Sequence, residues 1–177
     1  MKNLEGLQHE PENEFSSIED EILIMAEKDQ AMRRDTMDDP SKWDPNIDIE
    51  NTQRIKEIIA EIGYPNISKV GELASQKAWL LIQHADEDIE FQKSCLELMK
   101  QEKEENINIQ NIAFLEDRIL ISEGKPQLYG TQFFSNSNSP ELKPHPITKP
   151  EKLNERRKEM NLGSFEEYSK RIQEQYK

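Results

Sequence analysis

His84 is the residue in this chain best equipped to move a proton. It stands in the stretch Gln83-His-Ala-Asp-Glu-Asp88. A carboxylate at Asp86 or Asp88 can orient the imidazole and raise its pKa, the usual arrangement for a general acid or base. A histidine and an aspartate two positions apart could also give two metal ligands. No Cys/His cluster completes such a set, so no bound metal is expected. A second group, Asp29-Gln30 with Arg33-Arg34, places Asp29 and Arg33 at i and i+4, where they can pair along one helix face. Held that way, Arg33 can bind a carboxylate or phosphate; the plainer alternative is a surface salt bridge.

Two further stretches carry polar groups. In Leu115-Glu-Asp-Arg118, an apolar stripe at 109, 112, 113, 119 and 120 leaves Asp117 and Arg118 on its flank, able to point into a cleft or outward. In Gly124-Lys-Pro-Gln-Leu-Tyr-Gly-Thr-Gln-Phe-Phe134, Gln127, Tyr129, Thr131 and Gln132 can all donate and accept hydrogen bonds. Gly130 in its middle fits a bulge or a close approach by backbone or ligand. We expect His84, Asp117, Arg118 and the Tyr129–Gln132 segment to converge on one concave pocket, because a shared network satisfies buried polar groups more cheaply than several separate ones.

These residues need elements to position them, and the patterning is mostly helical. A first helix is capped at Ser16 or Ser17 and runs to about Arg34. A turn-rich loop, 38–46, has Trp43 as its anchor. A second helix is capped by Asp48, carries Ile55, Ile58, Ile59 and Ile62 on one side and stops at Gly63. Ser68 caps a third, with Val70, Leu73, Ala74, Leu81 and Ile82 inward; Asp86 caps a fourth and Asn106 a fifth. The only clear strand is 127–134, paired with the proline-bounded segment 142–148 as an edge. Capping boxes at Thr148/Glu151 and Ser164/Glu167 start two short helices. The fold class is therefore mainly α: about seven helices and one two-stranded β-ribbon, in a single domain 16–177 after a polar tail, 1–15.

The totals narrow the partners. The 177 residues are 34% hydrophobic and 33% charged, with a net charge of −13. That balance opposes phosphate neutralisation along nucleic acid and docking on an anionic membrane surface. It suits a basic protein partner instead, the plainer alternative being that the charge only keeps the chain soluble. One cysteine, Cys95, allows no intrachain disulfide, and it lies on an apolar helix face as a core residue. With no signal-peptide pattern and no apolar run of membrane length, a cytoplasmic location is expected, with delivery by a specialised secretion system left open. No GxSxG, phosphate-binding glycine loop, HExxH or CxxC occurs, so no cofactor is expected.

Taken together, these stretches resemble an uncharacterised bacterial domain family. The shared pattern is Asp29-Gln30-x-x-Arg33, Asn51 opening a helix that ends Gly63-Tyr-Pro65, Gly71 with Gln83-His-Ala-Asp86, Leu115-x-Asp117-Arg118, Gly124-x-Pro-Gln127-x-Tyr129-Gly-Thr-Gln132, and Pro146-Ile147 with Arg156-Arg157. It spans about residues 20–170. Tyr64 stands where the pattern has tryptophan, and either ring would fill a core slot. The resemblance implies a unified domain with a candidate site and no particular reaction.

Two functions fit these residues. The first is an enzyme catalysing metal-independent hydrolysis or group transfer on a phosphate- or amide-containing small molecule. In it His84, Asp86 and Asp117 would be catalytic, and Arg33, Arg118, Gln127, Tyr129, Thr131 and Gln132 would bind substrate. The second is an acidic interaction factor, of immunity or effector-modulating type, that meets a basic protein.

Overall fold

The computed structural model describes residues 15–136 and 139–175; the expected tail, 1–15, lies almost wholly outside them. Among the described residues there are seven α-helices and one two-stranded antiparallel sheet, so the fold is mainly α with a β-ribbon.

Helix α1 (Ser16–Asp38) buries Ile18, Ile22, Ala26, Asp29 and Met32, a stripe at three- and four-residue spacing. It runs a turn beyond the expected Arg34. It stops where Asp39, ahead of Pro40, turns extended at φ −143° and ψ 100°. Helix α2 (Pro45–Ile62) is capped by Asp44, which accepts from Asn46 N, with Pro45 at the first position. Asp48, expected as the cap, is thereby a first-turn residue whose carboxylate is free for other work. Gly63, at φ 74°, ends the helix as expected.

Helix α3 (Ile67–Gln83) starts from Asn66, which accepts from Lys69 N; Ser68 donates to the Asn66 side chain rather than capping. Gly71, at φ 76°, breaks the helix after its first turn. The phase of Val70 is therefore not carried forward, and Leu73, expected inside, is exposed. From there Ala74, Ala78, Leu81 and Ile82 are buried, and α3 touches α1 and α2 as well as α4 (Ile89–Gln101). Asp88, not Asp86, caps α4, and Asn108, not Asn106, caps α5 (Ile109–Ser122). Cys95 and Tyr64 both lie in the core, where burial raises the thiol pKa to about 12.

The ribbon is shorter than expected. Strand β1 (Phe133–Asn136) pairs with β2 (Ser139–Pro144), Phe133 opposite Pro144. Residues 127–132 make one isolated parallel bridge, Gln127 to Ile147, and otherwise form a loop. Thr148 does not start a helix: Lys149 turns left-handed at φ 44° and a 3-10 turn precedes α6 (Leu153–Glu159). Ser164 does cap α7 (Phe165–Gln175): its Oγ accepts from Glu167 N at 3.3 Å and donates to the Glu167 carboxylate at 2.8 Å. No helix among the described residues is long and apolar enough to cross a membrane.

Candidate functional site

Three helices bring their ends to one place. The buried stripe of α1 carries Asp29, one turn before Arg33; the first turn of α2 supplies Asp48; the C-cap of α3 supplies His84. His84 Nδ1 lies 2.9 Å and 3.0 Å from the two oxygens of Asp29, whose side chain has no solvent exposure. Arg33 reaches both carboxylates, Nε to Asp29 at 3.1 Å and Nη2 to Asp48 at 2.7 Å. Arg33 Nε is also 3.1 Å from His84 Nδ1. With Nδ1–H donating to Asp29, the Nε proton of Arg33 must go to Asp29 as well, because two donors do not bond each other. Nε2 of His84 is then the open nitrogen, and it has no hydrogen-bond partner among the described residues. The Arg33 guanidinium lies 5.1 Å from the ring centroid of the exposed Trp43, within cation–π range.

The electrostatics follow from this packing. Burial works against ionisation of Asp29. Hydrogen bonds from His84 and Gln30, with the charges of His84 and Arg33, outweigh it and hold the carboxyl below its usual range. At Asp48 burial prevails over Arg33 and raises the pKa.

A cavity of about 540 Å³ opens here, lined among others by Arg33, Trp43, Asp48, Lys56, His84 and Asp86. Lys56 is held by Asp88 at 2.5 Å, and Asp86 accepts both Nε and Nη2 of Arg118 at 2.7 Å and 2.5 Å. Three buried side-chain atoms among the described residues have no hydrogen-bond partner: Asn51 Nδ2, Gln83 Nε2 and Gln92 Oε1. All three belong to this end of the fold. Asn51 is one turn past Asp48, Gln83 precedes His84, and Gln92 donates to the carbonyls of Ile82 and Gln83. An unpaired buried polar atom costs about 1–3 kcal/mol, a local cost at each of these three positions.

Asp29, Asp48 and His84 also offer ligand atoms within 4.8 Å of one another, a set that could hold a metal ion. The Arg33 guanidinium already spans the two carboxylates, so a cation would have to displace an opposite-sign partner from both.

Asp117 and the loop after α5 form a separate centre. Asp117 accepts from the backbone N–H of Leu128 at 2.7 Å, Tyr129 at 3.0 Å and Thr131 at 2.9 Å, and from Thr131 Oγ1 at 2.9 Å. Burial nevertheless pushes its pKa up. Gln127, wholly buried, accepts from Gln132 N and donates to the carbonyls of Gln132 and His145. Arg156 holds the carbonyl of Leu128, and Arg157 that of Tyr129. Tyr129 donates to Glu116 at 3.3 Å, and Gln132 to Thr131 Oγ1 at 3.1 Å. The polar groups of this loop are thus spent on fixing its own path.

The expected single pocket is therefore not formed. The structure brings Arg33, His84 and Asp86 to one cavity; Asp117, Tyr129, Thr131 and Gln132 do not line it, and Gln127 is sealed in the loop. Arg118 reaches the rim only through Asp86. Sequence reasoning missed Asp29 as the partner of His84 and read Asp48 as a cap. The Asp29/Arg33 spacing marked half of the network, but nothing in the sequence ties position 29 to position 84.

Fold and site together define a helical protein with a histidine–carboxylate–arginine network at the wall of an open cavity. The chain belongs to a family of unknown function (DUF6624), whose model matches residues 16–177. None of the curated proteins and none of the solved structures matches it.

Proposed function

We propose that the protein is an acid–base enzyme in which His84 exchanges a proton at Nε2 while Asp29 holds the ring through Nδ1. The observation that carries this reading is the Asp29–His84 contact at the wall of a cavity of about 540 Å³. A buried carboxylate on one nitrogen fixes the tautomer and stabilises the imidazolium formed when the other nitrogen takes a proton. Asp86, expected to act on His84, instead pairs with Arg118. Arg33 and Lys56 are the cations on the wall that can meet a developing negative charge.

The reaction class is hydrolysis or group transfer. Of the two substrate types, an amide fits better than a phosphate. The wall carries Asp48, Asp86, Glu87 and Asp88 against Arg33 and Lys56, and this acidic excess repels a phosphate dianion. The proposed location is the cytoplasm, in keeping with a single buried cysteine. The test is turnover of a panel of amides and phosphate monoesters, with amine and phosphate release both measured. His84→Ala is expected to keep its circular dichroism and lose about 10²–10⁴-fold in rate. A folded His84→Ala variant with undiminished rate would overturn the reading.

The second reading, an acidic partner for a basic protein, draws on the net charge of −13 and on Trp43 and Ile49, exposed apolar residues on the wall of the same cavity. It predicts binding that weakens steeply with salt and is indifferent to His84→Ala.

A further inference from the structure

We propose that the recess bounded by α5, α6 and α7 is a binding site for a small oxyanion, a carboxylate or a phosphate, held by Arg157 and Arg171. This recess, of about 210 Å³, is distinct from the cavity at His84. Its wall includes Gln110, Phe114, Arg157, Tyr168 and Arg171.

Arg157 is 1% exposed, and no carboxylate among the described residues lies within ion-pair distance of it. Its Nε donates to the Gly163 carbonyl at 2.7 Å and its Nη1 to the Tyr129 carbonyl at 2.6 Å. Nη2 has no hydrogen-bond partner among the described residues, and Arg157 lines the recess. Asp117 and Glu166 act on this cation at longer range without an ion pair, Asp117 accepting the Tyr129 N–H while Arg157 donates to the Tyr129 carbonyl. A cation buried with neutral acceptors is costly unless an opposite charge joins it.

Arg171 brings a second guanidinium to the same wall. The centre of the Tyr168 ring is 4.9 Å from the Arg157 guanidinium carbon and 5.3 Å from that of Arg171. The two like charges repel, and an oxyanion in the recess that both arginines line would offset this repulsion and offer acceptors to their planar donors. The acid on the wall, Glu167, is turned to Ser164 at 2.8 Å and pairs with neither arginine. Burial also draws the Arg157 pKa down, and the charges of Asp117 and Glu166 only partly offset it.

The experiment is calorimetric titration of the full chain with inorganic phosphate, and separately with acetate, at constant ionic strength. One saturable site is expected. Arg171 is exposed, so Arg171→Gln should fold normally and weaken binding about tenfold or more, and Arg171→Glu should abolish it. His84→Ala should leave the affinity unchanged, which separates this site from the proposed catalytic one. Saturation by phosphate alone assigns the recess to phosphoryl groups, and by acetate alone to carboxylates. Heats that do not saturate, an unaltered affinity in Arg171→Glu, or loss of binding in His84→Ala would each overturn the proposal.

Discussion

Asp29 has both oxygens against one imidazole nitrogen and no contact with solvent, which makes its ionisation a measurable property of the fold. Its carboxyl is held below the ordinary value, so the ionised form is favoured in the native state. The stability this gives is complete above the unfolded carboxylate pKa of about 4 and is lost as the pH falls through the lower native value. Asp48 is shifted the other way by burial, and its contribution declines as the pH rises. Subtracting Asp29→Asn from the native chain in urea unfolding between about pH 3 and pH 7 should isolate the first effect. The variant is expected to lose about 3 kcal/mol at neutral pH, because a buried charged partner has been removed, and the difference should shrink towards acid. A constant difference across that range would show that Asp29 is not ionised in the native protein.

At the scale of elements, the loop from Gly124 to Gln132 shows what holds irregular backbone in place. Its N–H groups converge on Asp117, its carbonyls go to Arg156 and Arg157, and Gln127 ties it to the chain before Ile147. Gly130 is required twice over. Its φ is +69°, and a Cβ there would stand 2.8 Å from the Phe165 ring. Gly124 has a similar φ of +71°, but a Cβ there would meet nothing within 4 Å. Gly124→Ala should therefore cost about 1 kcal/mol, from backbone strain alone. Gly130→Ala should cost about 2–4 kcal/mol, because the Phe165 ring on α7 must also move. Chemical denaturation of the two variants tests the difference, and equal losses would refute the steric account. The Gly130 change should also disturb the aromatic contacts of Phe133 with Phe165 and Tyr168, visible in near-ultraviolet circular dichroism.

Across the whole molecule, two polar centres share no hydrogen-bonding residue. One is Asp29, Arg33, Asp48 and His84; the other is Asp117 with the 127–132 loop. They approach each other only through neighbours, since Arg118 follows Asp117 and pairs with Asp86, on the rim of the cavity. Asp117→Asn puts an amide donor among backbone donors and should cost about 2–4 kcal/mol. Combined with His84→Ala, its effect should add to within about 0.5 kcal/mol, as for sites without common partners. Asp29→Asn combined with His84→Ala should fall well short of additivity, because either change alone breaks the same contact. A double-mutant cycle by urea unfolding measures both. Strong coupling between positions 84 and 117 would mean that the two centres act as one.

The periodic apolar positions settled the helices, because Ile55 and Ile58 on α2, and Ala74, Leu81 and Ile82 on α3, are each buried together only if their segment is helical. Gly63 and the Ser164/Glu167 box likewise announced their own ends, since φ > 0 and an N-cap are local needs. Cap choice was less legible: Asp44, Asp48, Asp86 and Asp88 are all able caps, and the one used depends on where packing starts each helix. The pairing of charges was legible only where it was local, as for Asp29 and Arg33 one turn apart. Asp29 and His84 are 55 positions apart, and Arg157 and Tyr129 are 28 apart. Hydrogen bonds of that reach are decided by how α1, α2 and α3 cross and by where the loop after α5 folds back. The residue types at 84 and 117 told of polar groups in need of partners; only the tertiary structure assigned His84 to Asp29 at an open cavity and Asp117 to the sealed backbone of its own loop.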